Sequence, residues 1–145
     1  MRKFLIASHA YLAKGMYSSL ELIMGKQEHI HILCAYTSEE FDIKQEIQKI
    51  LLDLSREDEL IILTDVFGGS VNNEFFEVMA KNPDNIFLVS GVNLLLIMNL
   101  ISRRKDEKLT SEIKKESIQE EIDSICFCNE LTENENGNVE EDEEF

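Results

Sequence analysis

Four short apolar runs, each about four to six residues long, alternate along the chain with segments whose apolar positions recur at helical spacing. Lys3 to Ala7, Ile30 to Ala35, Leu60 to Thr64 and Ile86 to Val89 are almost continuously apolar, the pattern of strands covered on both faces of a parallel sheet. Between them, Leu12, Met16, Leu20 and Ile23 predict one helix, stopped by Gly25. Ile43, Ile47, Ile50, Leu51 and Leu54 predict a second, with a capping box over Thr37 to Glu40. Val71, Phe75, Val78 and Met79 predict a third, ended by Asn82-Pro83. Leu94 to Ser102 reads as a fourth helix, and Ile113, Ile118, Ile122 and Ile125 suggest a fifth running towards Phe127.

This β-α-β-α-β-α-β-α order predicts an α/β fold: an open, doubly wound, mainly parallel sheet with helices on both faces. Ligands of such sheets bind beyond the carboxyl ends of the strands, near the point where strand order reverses. Three strand ends carry candidate chemistry: Ser8-His9 after the first, Asp65 to Ser70 after the third, and Ser90 to Asn93 after the fourth.

Composition narrows the setting. The 145 residues suffice for one buried core, and 43% hydrophobic with 30% charged residues is ordinary for a globular chain. No apolar run approaches the roughly 20 residues that cross a bilayer. The apolar stretch after Arg2-Lys3 is shorter than the ~7 residues of a signal-peptide core, and a histidine follows it. A cytoplasmic protein without direct membrane insertion is therefore expected. Cys34, Cys126 and Cys128 have no framework spacing and fit a reducing compartment; Cys126 and Cys128 read as strand residues flanking Phe127 rather than as half a metal site.

The net charge of −15 is uneven. Residues 1–105 carry 11 basic and 14 acidic side chains; residues 106–145 carry 3 and 15. Without a basic footprint, nucleic acid is not an expected partner. Residues 130–145, ending VEEDEEF, lack periodicity and apolar mass and read as an acidic disordered tail behind a domain of residues 1–129.

The third strand end, TDVFGGSVNN, places a carboxylate at the end of a buried run, then an aromatic, two glycines and a serine able to cap the next helix. Gly68 and Gly69 permit close backbone approach, and the helix start beyond them offers free N–H groups, so the turn suits an anion. First and third strands commonly flank the switch point, which sets His9 beside Asp65. A carboxylate holding one imidazole nitrogen fixes the tautomer and leaves the other as a nucleophile. Nearby backbone donors suit a transferring phosphoryl group, and no Walker-type lysine is present. The set fits a phosphohistidine carrier. His29 and His31 read as an edge or polar sheet surface rather than a metal site, the methionines as core filling, and Tyr11 and Tyr17 as either site lining or packing.

With IASHAYLAKGM, LTDVFGGSVNN and SGVNL in that order, the chain resembles the enzyme IIA domain of the mannose/fructose/sorbose family of the bacterial phosphoenolpyruvate-dependent sugar phosphotransferase system. The resemblance spans roughly residues 1–128. It implies that His9 takes a phosphoryl group on Nε2 from phospho-HPr and passes it to a IIB component serving a IIC/IID permease. It assigns the family's aspartate to Asp65, its aromatic to Phe67, and its phosphate-cradling glycines and hydroxyl to Gly68, Gly69 and Ser70, with no cofactor or metal. It also implies a homodimer that exchanges C-terminal strands, for which Ile125 to Cys128 is the candidate segment. Val71 and Leu95 stand where the family often has proline, Ala10 where it commonly has glycine, and the acidic tail where some relatives have a linker to IIB, which implies a free-standing IIA. Two other readings remain: the phosphocarrier subunit of a dihydroxyacetone kinase system, and a regulatory binding module without turnover.

Overall fold

The computed structural model describes residues 1–103 and 111–132, and it divides into two units, residues 1–108 and 109–145. In the first, β1 (Arg2–His9), β2 (Ile30–Ala35), β3 (Glu59–Thr64) and β4 (Ile86–Ser90) form one sheet in the order β2-β1-β3-β4, with every pair parallel. The four strands predicted between residues 3 and 89 are all present. Helices α1 (Leu12–Met24), α2 (Ile43–Leu52), α3 (Ser70–Lys81) and α4 (Leu94–Ser102) link and follow them. Helix α1 packs with α4 and α2 packs with α3, one pair on each face. The chain steps from β1 outward to β2, then back across to β3, so strand order reverses between β1 and β3. The sheet is the doubly wound arrangement that the hydrophobic pattern predicts.

The two central strands are sealed by helices on both sides, and Leu5, Ile6, Ala7, Ile62 and Leu63 are fully buried. Each buried leucine or isoleucine contributes about 1.5–3 kcal/mol. Helix α3 adds Val71 and Phe75 to this core, and α4 adds Leu96, Ile97 and Leu100.

Several local expectations are corrected. The buried positions of α1 are Ala13 and Leu20, whereas Leu12 and Ile23 are exposed. The helix is turned from the predicted stripe because the buried Ser8 hydroxyl accepts the Ala13 N–H at 2.7 Å and anchors its start to β1. Helix α2 is capped by Asp42, whose Oδ1 accepts the Lys44 and Gln45 amides, not by a box over Thr37 to Glu40. Helix α2 begins at Ile43, so the acceptor that reaches those N–H groups is the side chain at position 42, immediately before it. Thr37 instead donates to the Cys34 carbonyl.

In the second unit, α5 (Ser111–Ser124) matches the predicted fifth helix, and Ile118 and Ile122 lie exposed on it. Residues 125–127 have no regular structure and Cys128–Thr132 forms a 3₁₀ turn, so no strand forms where one was expected around Phe127. A strand needs a neighbouring backbone to bond, and among the described strands none pairs with this segment. Residues 133–145, most of the acidic tail, lie outside the described residues.

Candidate functional site

The register of the central strands builds the site. Ala7 and Thr64 are the last pair of the β1–β3 ladder, so the residues that follow, Ser8-His9 and Asp65, come side by side at the carboxyl edge of the sheet. Asp65 Oδ2 accepts the backbone N–H of His9 at 2.8 Å and lies 2.9 Å from its ring Nδ1; Oδ1 accepts the Val66 amide at 3.0 Å. The carboxylate side chain is 7% exposed and the imidazole 42%. Burial pushes the Asp65 carboxyl up, but the His9 amide and ring together outweigh it and hold the group below its usual range. An ionised carboxylate on Nδ1 calls for a proton on that nitrogen and leaves the Nε2 lone pair free to act. Ser70 Oγ lies 3.3 Å from Nε2.

The glycine turn brings Ser70 there. Gly68 adopts φ +76°, a left-handed value that folds the chain back after Phe67. Gly69 then passes so close to the imidazole that an added Cβ would lie 3.2 Å from His9 Cε1 and 3.3 Å from the Val66 carbonyl oxygen. Gly69 is the N-cap of α3 and no side chain caps the helix, so its first-turn N–H groups begin beside the ring. Ser70 is the first helical residue rather than the cap that the sequence suggests. Phe67, 79% exposed, projects its ring into solvent.

The turn after β4 plays a different part from the other strand ends. Ser90 and Thr64 both donate to Oδ1 of the buried Asn72, Thr64 at 2.7 Å, which ties β3, β4 and α3 together behind the site. Tyr11 is exposed, and the aromatic that reaches the histidine is Tyr36, which sequence reasoning missed. Its ring centroid lies 5.8 Å from that of His9, and its hydroxyl donates to Ser70 Oγ at 2.8 Å. The strand-end rule contained the signal. β2 neighbours β1, so the residue after Ala35 belongs to the same edge as His9. Among the described residues, no three His, Cys, Asp or Glu side chains gather where a metal ion would bind, and no helix is long and apolar enough to cross a membrane.

The chain is similar in sequence and fold to known proteins. Residues 3–119 match the EIIA-man family, described as the PTS system fructose IIA component. The fructose-specific EIIA component of the PTS of Bacillus subtilis (strain 168) is 25% identical over 106 residues, 72% of either chain. A crystal structure from Klebsiella pneumoniae subsp. pneumoniae MGH 78578, described as a phosphoenolpyruvate-dependent sugar PTS permease, is 41% identical with a TM-score of 0.80, covering 90% of this chain and 93% of that one. The phosphotransferase system component EIIA of Streptococcus agalactiae is 27% identical with a TM-score of 0.76, covering 90% and 99%. The chain thus belongs to the mannose/fructose/sorbose family of PTS IIA components, phosphocarriers that act through a phosphohistidine and relay phosphoryl groups between HPr and a IIB component.

Proposed function

We propose that His9 is the residue that carries the phosphoryl group, on Nε2, and that Asp65 is its orienting partner. The observation that supports this most strongly is the asymmetry of the ring. Nδ1 is held by a nearly buried carboxylate at 2.9 Å, while Nε2 meets the Ser70 hydroxyl, 3.3 Å away, on a half-exposed ring. In the transfer step the nitrogen–phosphorus bond of phospho-HPr breaks as the Nε2–phosphorus bond forms, and the positive charge that develops on the imidazole is neutralised by Asp65. Ser70 and the backbone around Phe67, Gly68 and Gly69, with the first amides of α3, hold the phosphoryl oxygens. These groups are fixed by the turn before the donor arrives, which is what makes such donors effective. The onward step reverses this geometry towards a IIB component and, through it, a IIC/IID permease.

We also propose that the protein works in the cytoplasm as a homodimer, with the segment around Phe127 at the subunit contact. Exposed Ile122, Ile125 and Phe127 favour this. The test of the carrier reading is the chemistry of the label. Protein phosphorylated by enzyme I, HPr and phosphoenolpyruvate should carry an acid-labile, alkali-stable phosphoryl group that a IIB protein removes. An acid-stable label, or one that no IIB protein discharges, contradicts it.

A further inference from the structure

Tyr36 is built into the site in a way that neither an ordinary surface tyrosine nor a core residue requires. Strand β2 ends at Ala35, and Tyr36 adopts φ 62°, a left-handed conformation costly for a bulky residue. That turn carries the side chain over the sheet edge, where it is 51% exposed and yet held on three sides. Its ring meets Phe41 edge-on at 5.6 Å and lies tilted 43° to the His9 ring, and its hydroxyl donates to Ser70 Oγ at 2.8 Å. Backbone strain kept at the margin of a reacting group points to a role there.

The hydrogen-bond directions say what the role is. With Nδ1–H given to Asp65, Nε2 is an acceptor. The Tyr36 hydroxyl donates to Ser70, which leaves the one Ser70 proton to point at Nε2, 3.3 Å away. Four side chains thus form one directed series, Tyr36 to Ser70 to His9 to Asp65. We infer that Tyr36 is a positioning residue for phosphoryl transfer: its hydroxyl fixes the Ser70 side chain so that the Ser70 O–H turns its hydrogen bond from Nε2 to a phosphoryl oxygen as the group arrives. In that step the donor's nitrogen–phosphorus bond breaks and the Nε2–phosphorus bond forms; the Ser70 O–H rotates but stays bonded, and Tyr36 keeps its proton. The inference rests on the reading of His9 as the acceptor. Phenylalanine at position 36 keeps both ring contacts and removes only the hydroxyl.

The experiment is a double-variant cycle of Y36F and S70A, read by single-turnover transfer from ³²P-labelled phospho-HPr, with H9A as the control. Y36F should slow transfer about fivefold, the loss of one hydrogen bond, with half-saturation by donor unchanged. In the S70A background the same change should cost less than about twofold, because the partner is already gone. The ¹⁵N signal of His9 Nε2 gives a reading independent of the donor and should shift in Y36F in the same sense as in S70A. A fivefold loss that persists undiminished in S70A overturns the inference, as does a loss confined to half-saturation, wild-type transfer by Y36F, or an unmoved Nε2 signal. Label retained by H9A overturns the acceptor reading itself. Label confined to His9 with additive variants overturns only the part given to Tyr36.

Discussion

Each end of the sheet holds a nearly buried aspartate, and the two make an instructive pair. At the amino end, Asp58 Oδ2 accepts the Ser55 amide at 3.0 Å and lies 3.2 Å from Lys3 Nζ, beside the Arg2–Glu59 ion pair. At the carboxyl end, Asp65 holds the amide and ring of His9. The side chains are 9% and 7% exposed, and both carboxyls titrate below their usual range. The Ser55 amide, and after it Lys3, overcome the cost of burial at Asp58. The partners there are the Ser55 amide and two ammonium groups, Lys3 Nζ and the Met1 amino terminus 3.2 Å from Oδ1, neither of which presents a free lone pair while charged, so the cluster holds β1, β3 and their connecting turns together. Asp65 holds an imidazole whose other nitrogen remains available. A depressed carboxylate does not mark a reactive site by itself; its partner's unused atom does.

The comparison is sharpened first by amide substitution at each end. D65N should slow phosphoryl transfer from phospho-HPr on the order of 100-fold, because a neutral partner no longer stabilises the charged ring or fixes its tautomer. D58N should leave the transfer rate within about twofold and lower the melting temperature. Transfer rates and melting curves of the two proteins separate the roles, and equal loss of transfer in both would erase the distinction. Next, G69A should slow transfer about tenfold: its Cβ meets His9 Cε1 at 3.2 Å, and a ring tied at both nitrogens moves only by lengthening those bonds. Acid titration follows. A carboxyl held below its ordinary value contributes stability that is complete above about pH 4 and fades as pH falls through the depressed folded value. Denaturant melts from pH 7 downward should therefore show stability falling below that point, with a shallower decline in D58N. The smallest effect is at Ala10, which follows the histidine at φ 49°. A10G should stabilise by about 0.5 kcal/mol, relief of a left-handed alanine set against the chain entropy of glycine, with transfer unchanged.

The sheet was legible because both-face burial writes continuous apolar runs, and the adjacency of the first and third strands because doubly wound sheets commonly have it. His9 and Asp65 were legible because each ends such a run, and the glycine turn explains why Ser70 reaches the ring. The face of α1 was not, since a single buried serine hydroxyl in β1 sets its rotation. Ser70 read as a cap because serine before a helix usually is one; only the tight passage of Gly69 against the imidazole turns it into the site. Tyr36 was hidden because an aromatic followed by Thr37-Ser38 looks like an ordinary turn, and nothing in its neighbours announces a left-handed backbone. The segment after α5 shows the opposite failure. Its apolar β-forming residues promise a strand, but pairing is a property of a neighbour and is not written in the segment itself.

The most direct test of the phosphohistidine assignment is labelling of H9A beside the wild type and D58N with enzyme I, HPr and ³²P-phosphoenolpyruvate, each protein first shown to be folded. The wild type and D58N should take up one phosphoryl group per chain and H9A none. Stoichiometric labelling of folded H9A would contradict the assignment and move the acceptor away from this edge of the sheet.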